Sequence, residues 1–194
     1  MINIAVFASG NGSNFQAIYE AVKHQRLDAN ISLVVCDRPG AQVIARAEKV
    51  GIPVFSFSAK DYESKSAYEE DLLIQLREHR VQLVVLAGYM RIVGETLLEA
   101  FPGGIVNIHP SLLPSFPGKD AVEQAVAAGV KVTGVTVHYV DEGVDTGPII
   151  AQQSVSIREG ESIEAVTKRI HEVEHAIYPK ILQKVIHRHL SILN

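Results

Sequence analysis

The sequence predicts an α/β fold, a mostly parallel sheet with helices on both faces. Three observations lead there. Short runs rich in Ile and Val alternate with longer stretches of helical periodicity, the signature of successive βα units. Those runs are apolar throughout, as strands buried on both faces require. The composition, 47% hydrophobic and 21% charged over 194 residues, supplies a full core. No internal repeat, low-complexity tract or linker divides the chain, so a single domain over 1–194 is expected.

The first strand is Asn3–Ala8. Its apolar run is too short, and too poor in basic residues, for a secretory leader, and no segment approaches the length of a membrane span. A glycine loop and a helix over Asn14–His24 follow, then strand Ile31–Cys36, helix Ala41–Val50 and strand Val54–Phe57. The next helix, Asp61–His79, repeats Tyr68, Leu72 and Leu76 at four-residue spacing, with Asp61 as the expected N-cap. Strands Leu83–Ala87 and Gly104–Ile108 and helix Asp120–Ala128 complete the alternating part. Val132–Val140 and Ile149–Ile157 flank the turn-rich DEGVDTGP and either pair with each other or extend the sheet. A long helix begins near Ser162 on an apolar stripe of Ile163, Val166, Ile170, Val173 and Ile177, and Pro179 is expected to kink or interrupt it.

The net charge of -4 argues against a nucleic-acid or membrane-surface partner while permitting a local anion pocket. The lone cysteine, Cys36, excludes an intramolecular disulfide and sits in no metal-ligand spacing, which points to a reduced, cytoplasmic setting.

Two stretches carry chemistry. In AVFASGNGSNFQAI, Gly10, Gly12, Ser13 and Asn14 lie between strand and helix, where free backbone N–H groups favour an anion. Phe15 occupies the third glycine position of a dinucleotide fingerprint, and there is no Walker lysine, so a terminal phosphate monoester suits the loop better. An ordinary βα turn has the same composition. In VNIHPSLLPSFPG, Asn107 and His109 are two apart on a strand and share one face at its C-terminal end, where open α/β sheets bind ligands. An amide donor beside an imidazole can hold an oxyanion and pass a proton, and Pro110, Pro114 and Pro117 restrict the loop that follows. A histidine that only bonds its own loop fits the same spacing. Of the acids Asp141, Glu142 and Asp145, one brought to His109 would orient the ring and favour its cation, but spacing does not bring it there.

SGNGSNFQAI, LAGYMRIV, VNIHPSLLPSFPG, VHYVDEGVDTGPI and EHAIYP, in this order, resemble the phosphoribosylglycinamide (glycinamide ribonucleotide) formyltransferases of purine biosynthesis nearly end to end. The resemblance implies a Rossmann-like formyltransferase fold. Its N-terminal half, about 1–100, would bind the nucleotide phosphate, and its C-terminal half, about 101–194, would complete the folate site. It implies 10-formyltetrahydrofolate as co-substrate without a metal, small-molecule partners only, and a monomer or homodimer. Asn107, His109 and Asp145 match the catalytic trio, Gly12, Ser13 and Asn14 the phosphate site, and Glu174 the contact to ribose hydroxyls. Met90, Arg91, Ile92, Val93 and Asn107, with Asp141, Glu142, Gly143 and Val144, match the walls of the folate pocket. Lys65 stands where the family carries an arginine that touches folate, keeping the charge without the fork, and Asp120 replaces a histidine.

HEVEH, His171–His175, also fits a zinc-protease pattern, but a third ligand is missing and the apolar stripe accounts for the helix. Among relatives of the same chemistry, a deformylase would carry an N-terminal regulatory domain and a second histidine where Pro110 stands. A methionyl-tRNA formyltransferase would need an appended domain and basic character. A non-catalytic binding module would not need the trio, and the Phe15 position argues against an NAD enzyme.

Overall fold

A computed structural model describes residues 1–193. They form a seven-stranded sheet flanked by helices, with elements β1 (Ile2–Ala8), α1 (Ser13–Lys23), β2 (Ala29–Cys36), α2 (Gln42–Lys49), β3 (Val54–Ser56), α3 (Lys65–Glu78), β4 (Leu83–Leu86), α4 (Glu95–Ala100), β5 (Ile105–His109), α5 (Ala121–Ala127), β6 (Val132–Tyr139), β7 (Ile149–Ser156) and α6 (Ile163–Leu193). The strand order is β3-β2-β1-β4-β5-β6-β7. β1 to β5 run parallel, and β6 and β7 are antiparallel additions at one edge. The two last strands therefore both pair with each other and extend the sheet.

Side-chain alternation along β1 shows how the layers form. Ile2, Ile4, Val6 and Ala8 face the layer of α1, α2, α5 and α6, while Ala5 and Phe7 face α3 and α4. Each fully buried Ile, Leu or Phe contributes about 1.5–3 kcal/mol, so a central strand such as β1, buried on both sides, is heavily anchored. Its C-terminal end and that of β4 lie side by side where the strand order reverses, the position at which such sheets bind ligands.

Four expectations change. Asp61 closes a short 3-10 turn, and α3 starts later, capped by Ser64, whose hydroxyl accepts the Ala67 N–H at 3.1 Å. β3 is an edge strand, half-buried rather than buried on both faces. The six-residue α4 lies between expected strands, too short for its periodicity to register. Pro179 lies inside α6 without ending it. The neighbouring Tyr178 is wholly buried, and its hydroxyl shares its proton between the carbonyls of Leu86 (2.7 Å) and Val106 (3.2 Å) at the ends of β4 and β5. With Leu182, Val185 and Ile186 also buried, packing outweighs the hydrogen bond that proline removes. Among the described residues no helix is long and apolar enough to cross a membrane.

Candidate active site

The glycine loop leaves β1 and enters α1 through Gly12, at φ 78°. A Cβ there would also meet Val43 Cβ at 2.7 Å, so both backbone and space demand glycine. The loop is tied to α2: Val43 N–H donates to the Gly10 carbonyl (3.1 Å), and Arg46 Nε donates to the Asn11 carbonyl (2.8 Å). Gly12 offers α1 no side-chain cap, which leaves the first N–H groups of the helix facing outward beside Ser13.

α6 closes over this loop. Asn14 Nδ2 donates to Glu174 Oε2 at 3.2 Å, and Ser13 Oγ lies 3.0 Å from His175 Nε2. Glu174 is buried, which pushes its carboxyl up to about 7 against the single opposing bond from Asn14. Burial first, then the nearby His171, lowers the pKa of His175. Asn14 Oδ1 is buried without a hydrogen-bond partner, an unusual state for such an atom. Two buried polar side chains, Asn14 and Glu174, thus keep unused hydrogen-bonding capacity beside the glycine loop.

At the end of β5 the antiparallel register sets Asn107 opposite His138 and His109 opposite Thr136. The loop between β6 and β7 brings Asp145 across, in left-handed backbone at φ 56°, a conformation that Asp tolerates better than most residues. His109 Nδ1 lies 3.3 Å from Asp145 Oδ2, and its Nε2 lies 2.9 Å from the Phe116 carbonyl. Both ring nitrogens face acceptors, so only the doubly protonated imidazole satisfies both contacts. Asp145 Oδ2 also accepts the Gly118 N–H (2.8 Å), and Oδ1 lies 3.6 Å from His138 Nε2. Burial works against the Asp145 anion, but contact with His138, the Gly118 bond and the nearby His109 outweigh it and hold its pKa below the ordinary value.

His138 was not singled out in the sequence. Its Nδ1 lies 2.7 Å from the Tyr139 carbonyl, which requires a proton there, and its Nε2 lies 3.3 Å from Asn107 Nδ2. Nε2 thus sits between the Asn107 amide and Asp145 Oδ1, so the ring links the amide to the acid. The only signal was VHYVDEG, and the register that makes it matter is invisible without the sheet. The proline loop is likewise held by residues the sequence did not mark. Thr136 Oγ1 donates to the Ser111 carbonyl (2.7 Å) and accepts the Leu113 N–H (3.1 Å), while Gln152 Nε2 donates to the Leu113 carbonyl (2.9 Å).

The remaining candidates lie on the segment after β4, in the loop between β6 and β7 and at the start of α3. After β4, Tyr89, Arg91 and Val93 turn inward, while Met90 and Ile92 are each 54% exposed. Val144 is also exposed, and the Asp141–Asp145 turn is closed by Asp141 Oδ1, which accepts the Gly143 N–H (3.1 Å) and the Thr146 hydroxyl (2.6 Å). Glu142 points to solvent, and Lys65, at the start of α3, reaches the Gly94 backbone at the far end of the Met90–Val93 segment. Asp120 N-caps α5 in left-handed conformation without a side-chain bond. Among the described residues no group of three His, Cys, Asp or Glu side chains is arranged to hold a metal ion; His171 and His175 stack at 6.3 Å between ring centroids.

Comparison with known proteins agrees with this fold. The chain is 56% identical to the phosphoribosylglycinamide formyltransferase of Bacillus subtilis (strain 168), over 96% of this chain and 95% of that protein. It superposes on glycinamide ribonucleotide transformylase 1 from Geobacillus kaustophilus with a TM-score of 0.94 and 59% identity, covering 95% of this chain and 98% of the other. It also matches, at 42% identity over 94% of its own length, 14% of the trifunctional purine biosynthetic protein adenosine-3 of Drosophila melanogaster. Residues 2–182 match the formyl transferase family, and the chain belongs to it.

Proposed function

We propose that this enzyme transfers the formyl group of 10-formyltetrahydrofolate to the amine of glycinamide ribonucleotide, giving formylglycinamide ribonucleotide and tetrahydrofolate in purine biosynthesis. The observation that carries this reading is the meeting of His109, Asp145 and Asn107 at one strand end, with His109 Nδ1 3.3 Å from Asp145 Oδ2. The identity to formyltransferases over nearly the whole chain supports it.

In this reading Gly12, Ser13 and Asn14 take the ribose phosphate and Glu174 the ribose hydroxyls. Lys65, Met90–Val93 and Asp141–Val144 enclose the folate. Each half of the chain then contributes to each pocket, with the N-terminal half dominant at the phosphate. Holding both reactants against the β5 end turns a bimolecular encounter into a positioned one. The unprotonated amine attacks the formyl carbon; the C–N bond forms as the carbonyl electron pair moves to oxygen. The amide N–H of Asn107 and the Nε2–H of His109 hold that oxyanion, which replaces the Phe116 carbonyl as acceptor. Asp145, facing Nδ1, holds the ring in place for this contact. The amine proton passes, through water with His109 or Asp145, to the departing folate nitrogen as its bond to the formyl carbon breaks. The electrophilic help comes from these side chains, and the reaction is written without a metal ion. The enzyme works in the cytoplasm, as a monomer or homodimer on small molecules.

The test is a formyl-transfer assay on purified protein with both substrates, a sample lacking the nucleotide, and His109→Ala. Nucleotide-dependent appearance of tetrahydrofolate and formylated nucleotide, lost in the variant, is expected. Tetrahydrofolate release without the nucleotide would overturn the transfer in favour of hydrolysis.

A further inference from the structure

The Met90–Gly94 segment has no regular structure, yet it keeps a strict alternation of outward and inward side chains. Two buried carboxylates from other elements hold its ends. At the first, Asp37 follows β2 and accepts the Ser9 hydroxyl, whose oxygen in turn accepts the Met90 N–H at 2.8 Å. Asp37 Oδ2 also lies 2.9 Å from Arg91 Nε, a charge contact in which the N–H is not aimed for a hydrogen bond. The Arg91 guanidinium sits 5.7 Å from the centre of the Tyr68 ring, so it is held between a carboxylate and an aromatic face.

At the other end, Glu69 on α3 is buried and its Oε1 accepts the Gly94 N–H at 2.6 Å. Gly94 is the N-cap of α4 and brings no side chain to the task, so Glu69 does from α3 what a capping residue does locally. Any Cβ on Gly94 would lie 2.6 Å from Glu69 Oε2, so the approach is as close as the backbone allows. Burial raises the Glu69 pKa, and the Gly94 bond and the Lys65 charge oppose the rise. Apolar residues would stabilise these positions at lower cost than buried charges. What the carboxylates add is direction: a fixed backbone that turns Met90 and Ile92 outward.

We propose that Asp37 and Glu69 are positioning residues for the formyl donor, fixing both ends of the Met90–Gly94 wall without touching either substrate. This rests on the reading of that segment as part of the folate pocket.

The test is steady-state kinetics with each substrate varied in turn, on Glu69→Ala, Glu69→Gln, Asp37→Asn and Ile92→Asp, with melting curves for each. Glu69→Ala is expected to raise KM for 10-formyltetrahydrofolate about tenfold, the scale of one charge-assisted bond, and Asp37→Asn, which keeps an acceptor for the Ser9 hydroxyl but loses the charge facing Arg91, about threefold. Turnover and KM for the nucleotide should stay near the parent values. Glu69→Gln keeps an acceptor for the Gly94 N–H and should recover most of the loss. Lower melting temperatures with both KM values unchanged would overturn the proposal, since the carboxylates would then serve stability alone; so would failure of Gln to improve on Ala. Ile92→Asp separates the two readings. If it raises the donor KM while the carboxylate variants do not, only the positioning role falls. If it too leaves the donor KM unchanged, the donor-wall reading falls and takes the positioning role with it.

Discussion

The two mouths of the site are built on opposite principles. Around the glycine loop the groups are buried, polar and incompletely bonded: Asn14 Oδ1 has no partner, and Glu174 has one donor for a buried carboxyl. Around the Met90–Val93 segment the Met90 and Gly94 N–H groups are bonded to the protein, Arg91 Nε faces Asp37 without a hydrogen bond, and the large apolar side chains Met90, Ile92 and Val144 are left exposed. A highly polar, charged ligand gains by completing unfinished hydrogen bonds, whereas a flat, largely apolar ring system gains by covering exposed hydrocarbon. The contrast fits a sugar phosphate at one mouth and a pterin at the other.

The largest effect should come from the junction that belongs to neither mouth. His109→Ala and Asn107→Ala should each lower turnover about a hundredfold or more, the scale of losing one oxyanion donor, with both KM values little changed. Near-parental turnover in either would remove that residue from the chemistry. Next comes Glu174, whose carboxyl rises from 4.5 to about 7 on folding. The folded chain then holds this proton more tightly than the unfolded chain, so its stabilising effect is complete below 4.5 and lost as pH rises through 7. Glu174→Gln, which resembles the protonated acid, should match the parent in acid and exceed it by about 3 kcal/mol at pH 8, at 1.36 kcal/mol per pH unit between the two values. Denaturant curves that stay parallel across this range would mean that the carboxylate is fully partnered, and the contrast between the mouths would weaken. Ser13→Ala should raise KM for the nucleotide about fivefold and spare the donor, which initial rates with each substrate varied will check. The smallest change is expected at Lys65, which is exposed: Lys65→Ala should raise the donor KM no more than about threefold. A larger effect would make it a principal folate contact.

Much of this was legible in the sequence because it rests on local patterns. The central parallel strands were marked by continuous apolar runs, and the glycine loop by Gly12, whose backbone and surroundings admit no other residue. Asn107 and His109 were legible as a pair because a strand's two-residue period sets them on one face. What could not be read was register. Asp145 reaches His109 only because β6 pairs antiparallel with β5, and His138 meets Asn107 only because that pairing sets them opposite each other. The same limit hid Thr136 and Gln152, which hold the proline loop from across the sheet. Pro179 failed as a stop signal because the local cost it imposes is met by distant packing around Tyr178. Asp61 failed as a cap because Ser64, three residues later, is the side chain that reaches an unpaired helix N–H.

The bonds from α6 to the glycine loop join residues 160 and 162 positions apart in the chain. During synthesis the glycine loop leaves the ribosome well before the two side chains that complete its pocket. Contacts of such long range form late, after the sheet between them has been assembled. A nascent chain would therefore carry the loop before Glu174 and His175, and the pocket around it would be complete only once α6 is made.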